Sequence, residues 1–75
     1  MRELVEFMAK SLVHESESVR VTETEENGSH TFHLEVAPED KGRIIGKQGR
    51  VVQSMRALLR VAAIKRGTRA DLEVI

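Results

Sequence analysis

The sequence predicts an α+β domain of order α-β-β-α-α-β, with a three-stranded mixed sheet and its helices packed on one face. Three observations predict it. Two short runs alternate apolar and polar residues around Asn27-Gly28, two stretches before and after them carry apolar residues at helical spacing, and the chain closes on a third alternating run. Leu4, Val5, Met8 and Leu12, flanked by Phe7, give residues 2 to about 13 the stripe of an amphipathic helix. Residues 18–25 and 29–36 are rich in β-branched types, and Phe32, Leu34 and Val36 share one face of the second run. Asn-Gly supplies the positive φ angles of a type I′ turn, so the two runs form an antiparallel hairpin. Pro38 suits a first helical turn, with Glu39 and Asp40 placed against the positive end of its dipole, and that short helix ends near Gly46. A longer helix runs from Arg50 to about Lys65, stops at Gly67, and leads to a last strand in residues 70–75. The crossover from the second strand through two helices to the third favours a parallel pairing.

Seventy-five residues make one domain, 1–75, in which a single core supplies roughly 3–5 kcal/mol of net stability. There is no cysteine, hence no disulfide and no thiolate metal site, which suits a reducing cytosol. Glu3, Glu6 and Lys10 interrupt the N-terminal apolar positions as a signal peptide would not, and no segment is apolar enough to span a membrane. The expected location is the cytoplasm. Formal net charge is zero, but residues 1–40 carry −7 and residues 41–75 carry +7, with no acid between Lys41 and Arg69. Either the two halves cancel across the fold or one surface carries a positive field suited to a polyanion.

The centre of the basic half is Arg43-Ile44-Ile45-Gly46-Lys47-Gln48-Gly49-Arg50. Gly46 and Gly49 let the backbone turn sharply and a phosphate approach closely, while N–H groups at the start of the next helix favour an anion. Lys47, Arg43 and Arg50 add charge. This is a clamp for a sugar-phosphate backbone, the role played by the GXXG loop of KH domains. A Walker loop is excluded by spacing: three residues separate Gly42 from Gly46, and Gln48 stands where a magnesium-binding hydroxyl belongs. With no Trp or Tyr, and with Phe7 and Phe32 both expected in the core, no aromatic platform is available for bases. Ile44, Ile45 and Val52 are the aliphatic candidates for contact with bases, and each serves equally well as core.

His30 and His33, three apart on a strand, point to opposite faces, so no metal site is expected. No nucleophile pattern is present, and neither a catalytic residue nor a cofactor is expected. Ten of the fourteen residues from Val51 to Ile64 are apolar, more than the stripe Val52-Met55-Leu59-Ala62 needs to cover a sheet, so a protein partner is expected on this helix.

From Leu4-Val5-Glu6-Phe7 through Ile45-Gly46-Lys47-Gln48-Gly49-Arg50 to the terminal strand, the chain resembles the small bacterial KH-domain proteins of the KhpA (YlqC-like) family. The resemblance implies a type II KH fold, single-stranded RNA binding in the cytoplasm, and a homodimer or a heterodimer with a larger KhpB-like partner. It also implies a role as RNA chaperone or post-transcriptional regulator, with links to cell elongation and division. His14-Glu15-Ser16-Glu17 departs from the Asp-Pro type of turn expected there, which leaves the exit of the first helix open. The reading from a different class is a protein-interaction adaptor that keeps the fold without binding RNA.

Overall fold

A computed structural model describes all residues, Met1–Ile75. Helix α1 spans Arg2–Leu12, strands β1 and β2 span Arg20–Glu26 and Ser29–Glu35, helix α2 spans Lys41–Ile45, helix α3 spans Arg50–Lys65, and strand β3 spans Arg69–Val74. Short 3-10 turns at Ser16–Ser18, Pro38–Asp40 and Lys47–Gly49 join them. The predicted order stands. Asn27 (φ 52°) and Gly28 (φ 80°) both take the left-handed conformation that a two-residue hairpin requires. The hairpin register runs from Arg20↔Glu35 to Glu26↔Ser29.

Strand β2 is central, antiparallel to β1 and parallel to β3 from Ser29↔Arg69 to Leu34↔Val74. One sheet face carries Phe32, Leu34, Ala70 and Leu72, which pack on Val5 and Ala9 of α1, Ile44 of α2, and Val52, Met55, Leu59 and Ala63 of α3. Gly67 ends α3 in a Schellman motif: its N–H donates to the Ile64 carbonyl, and the Thr68 N–H donates to the Ala63 carbonyl. The Thr68 hydroxyl then bonds the Gly28 carbonyl, tying this turn to the hairpin.

Two expectations about packing are corrected. Phe7 is 71% exposed, because the buried stripe of α1 is Val5 and Ala9, and a residue two places from either lies on the far side of the helix. On α3 the buried stripe ends at Ala63, which stands four residues after Leu59, whereas Ala62 is only half-buried. Asp40 stands directly before α2, where its sequence places it against the helix dipole, and it is 1% exposed, which local spacing does not reveal. No helix is long and apolar enough to cross a membrane.

Candidate nucleic-acid interface

Helix α2 ends on the Ile45–Gly46 step because Gly46 leaves helical space entirely, at φ 75° and ψ 173°. Two facts require glycine there. The φ angle is one that side-chain-bearing residues avoid, and a Cβ would stand 2.3 Å from Val51 Cγ2 and 2.9 Å from the Val51 backbone nitrogen. Gln48 (φ 59°) and Gly49 (φ 74°) are also left-handed, so three of the four loop residues have positive φ. A left-handed glutamine is uncommon and costs energy that the surrounding structure must offset. The Gly46 N–H donates to the Gly42 carbonyl at 2.8 Å, and the Gly49 N–H donates to the Gly46 carbonyl at 3.1 Å. The result is a tight turn that begins α3 directly and leaves Lys47, Gln48 and Arg50 exposed.

The expected site residues separate by burial. Arg43, Ile45, Lys47, Gln48 and Arg50 are exposed and Gly46 and Gly49 half-exposed around one turn. Ile44 is 0% exposed and Val52 is 6% exposed. Both belong to the core beneath the loop, because each stands on the helix face turned to the sheet. Of the three aliphatic candidates for contact with bases, only Ile45, at 42% exposure, offers surface.

Charge is not cancelled across the fold. Among the basic residues from Lys41 to Arg69, Arg43 alone pairs with an acid of residues 1–40, at 3.5 Å from Asp40, while Arg56 and Arg60 pair with Asp71. Lys41, Lys47, Arg50, Lys65, Arg66 and Arg69 have no acid within 4.0 Å. The loop therefore sits in a locally positive field in a molecule whose net charge is zero.

Asp40 fixes the approach to the loop. Its carboxylate accepts the Glu15 N–H at 3.0 Å and the His14 N–H at 3.1 Å, joining the exit of α1 to the start of α2. The Glu15 N–H, then that of His14, with the positive charges of His14 and Arg43, hold this carboxyl below the usual carboxylate range against the opposing effect of burial. These bonds also settle the helix exit left open by residues 14–17, which is a 3-10 turn at Ser16–Ser18 steered by Asp40. Nothing local marks Asp40 for this role, since its partners lie 25 and 26 residues away.

The outer sheet face is no platform for bases. It carries Thr22, Thr24, Thr31 and His33, with no aromatic ring other than the imidazole of His33, which bonds Thr24 and lies 3.4 Å from Glu73. His30, on the opposite face, bonds Glu23 and stacks on Phe32. The two histidines are thus separated by the sheet, as their spacing predicts.

The family described as KhpA/KhpB, KH domain, matches residues 2–74. The chain belongs to this family. It is 45% identical to the RNA-binding protein KhpA of Clostridium perfringens and 45% identical to that of Caldanaerobacter subterraneus, in both cases over the full length of both chains. The RNA-binding protein KhpA of Aquifex aeolicus is 39% identical over the whole of this chain and 95% of its own. Among solved structures, the fold matches part of Aquifex aeolicus Era Y63A bound to GDP and AlF4−, with a TM-score of 0.70 and 22% identity. A second match, with a TM-score of 0.64, is Era in complex with MgGDPNP and nucleotides 1506–1542 of 16S ribosomal RNA. In each case 97% of this chain aligns with 28% of the Era chain. These likenesses establish a KH fold, and the KhpA/KhpB family is non-catalytic.

Proposed function

We propose that this KH domain binds single-stranded RNA without acting chemically on it, gripping the sugar-phosphate backbone with Gly46-Lys47-Gln48-Gly49. The observation that carries the reading is the run of positive φ angles at Gly46, Gln48 and Gly49 beside unpaired Lys47 and Arg50. A backbone folded this tightly lets a phosphate approach the main chain, and cations without acidic partners are free to meet it. Arg43 and Arg50 supply further charge, and Ile45 offers the aliphatic surface on which a base lies. The relatives named RNA-binding proteins support the same reading. Binding through a few phosphates is salt-sensitive and loosely specific, which suits an RNA chaperone or post-transcriptional regulator in the cytoplasm.

The test replaces Lys47 and Gln48 by Asp, checks the fold by circular dichroism, and measures binding to a single-stranded oligonucleotide at two salt concentrations. Each lost charge-assisted contact is worth about 1.5–3 kcal/mol, so affinity falls by roughly tenfold or more. Unchanged affinity in a folded variant contradicts the reading.

The exposed face of α3 favours a protein partner as well. Leu58, Val61 and Ile64 are each more than half exposed, and Phe7 of α1 and Leu58 both line a groove of about 430 Å³. We assign this face to a homodimer, or to a heterodimer with a larger KhpB-like partner, which raises RNA affinity by avidity. Sedimentation at tens of micromolar reports twice the chain mass if the homodimer forms, and the mass of one chain excludes it. If the unaltered protein fails to bind RNA while this face still captures a partner, the domain is an adaptor that keeps the KH fold.

A further inference from the structure

Strand β3 is an edge of the sheet, and its unpaired backbone groups are a template for a further strand. The N–H groups of Arg69 and Ile75 donate to the Gly28 and Leu34 carbonyls on the β2 side. In a parallel ladder this places the groups of the alternating residues Ala70, Leu72 and Val74 on the open side. Leu72 is the middle one, and both of its groups are already taken by side chains. Its N–H donates to Asp71 Oδ1 at 2.8 Å, and its carbonyl accepts from Arg56 Nε at 3.0 Å. Asp71 is held in turn by Arg56 at 3.8 Å and by Arg60 at 3.5 Å.

We propose that Arg56, Asp71 and Arg60 form a side-chain lock on the free edge of β3, which keeps it from pairing with the β3 edge of a second copy of the chain.

The other edge shows why a lock is needed here. Strand β1 carries Glu23, Glu25 and Glu26, so two copies meeting along it oppose like charges. Strand β3 has no such protection: its sequence, Arg-Ala-Asp-Leu-Glu-Val, alternates small and apolar residues with charges of both signs. In an antiparallel pair centred on Asp71, Arg69 of each copy meets Glu73 of the other, two attractive pairs that outnumber the single like-charge pair of Asp71 with Asp71. Charge pattern alone therefore leaves β3 sticky, and the occupied groups of Leu72 close it. To pair, a second strand must break two hydrogen bonds and displace two arginines from Asp71.

The test compares the full chain with Arg56→Ala/Asp71→Ala by sedimentation over a concentration series and by amide hydrogen exchange. In the double variant the Leu72 amide exchanges roughly three- to tenfold faster at low concentration, as loss of one hydrogen bond implies. Its mass then rises with concentration beyond that of the parent. This added association persists when Leu58→Asp is included, which separates it from contact through α3. It disappears with Val74→Pro, whose ring removes an outward N–H. If the double variant does not fold, Asp71→Ala alone is measured in the same way, since Asp71 is an exposed residue. Parental mass at every concentration overturns the proposal, whatever the exchange at Leu72, as does added association that Val74→Pro leaves intact.

Discussion

At the scale of single residues, the loop rests on Gly46 for a reason its pattern only half reveals. Glycine spacing announces a sharp turn, but the close approach of Val51 is a tertiary fact. Gly46→Ala meets two separate penalties: about 1–3 kcal/mol for a positive φ with extended ψ, a conformation open essentially to glycine alone, and the collision with Val51 in addition. The melting temperature and RNA affinity of this variant both fall. Adding Val51→Ala relieves the collision and recovers part of the loss, whereas equal loss in the single and double variants contradicts this account of the loop. Asp40 makes a second prediction, in pH. Its folded carboxyl titrates below the unfolded one, so its stabilisation is present in full above the usual carboxylate range and is lost as pH falls through the folded value. Asp40→Asn is therefore less stable than the parent above that range, and the two stabilities, followed by circular dichroism in urea, converge as pH falls through it.

At the scale of elements, α3 explains how much was legible in advance. Its period, the Gly67 stop and the first three members of the stripe Val52-Met55-Leu59-Ala62 follow from local spacing and stand in the structure, while the stripe ends at Ala63 instead of Ala62. Asn27-Gly28 likewise specifies its hairpin, because the turn is decided within two residues. What local spacing does not contain is the neighbour that each face meets. Phe7 looks like core by composition, yet α1 turns Val5 and Ala9 inward and leaves the ring exposed. Ile44 and Ile45 are adjacent and alike, and only the packed fold assigns one to the core and the other to the surface. Asp71 reads as an ordinary strand acid until β3 is seen as an edge with Arg56 above it. Two substitutions on α3 separate its faces. Leu59→Ala, at a fully buried site, costs about 2–5 kcal/mol, most of what so small a domain has, and urea titration shows much of it unfolded. Leu58→Asp, on the exposed face, leaves the unfolding free energy of the monomer, read by urea titration, within about 0.5 kcal/mol of the parent while reducing the sedimenting mass.

At the scale of the whole molecule, zero net charge conceals a division between an acidic and a basic half, with one ion pair, Arg43–Asp40, bridging them. A protein that meets RNA through the basic half alone shows an ionic-strength dependence that its isoelectric balance does not suggest. If about four phosphates are held, the logarithm of the affinity falls with a slope near −3 against the logarithm of salt, and losing the Lys47 contact reduces that slope by about 0.7. The outer face of the sheet lacks the stacking aromatics that a platform for bases needs, and its cations, Arg20 and Arg69, share that face with Glu26, Glu35, Asp71 and Glu73. The most direct measurement is the map of backbone amide shifts as a short single-stranded RNA is titrated into the labelled protein. The largest changes fall on Gly46 to Arg50, with smaller ones at Arg43 and Ile45 and none at Thr22, Thr31 or His33. Largest changes on the outer sheet face, with residues 46–50 unmoved at saturation, contradict the assignment of the loop as the RNA grip.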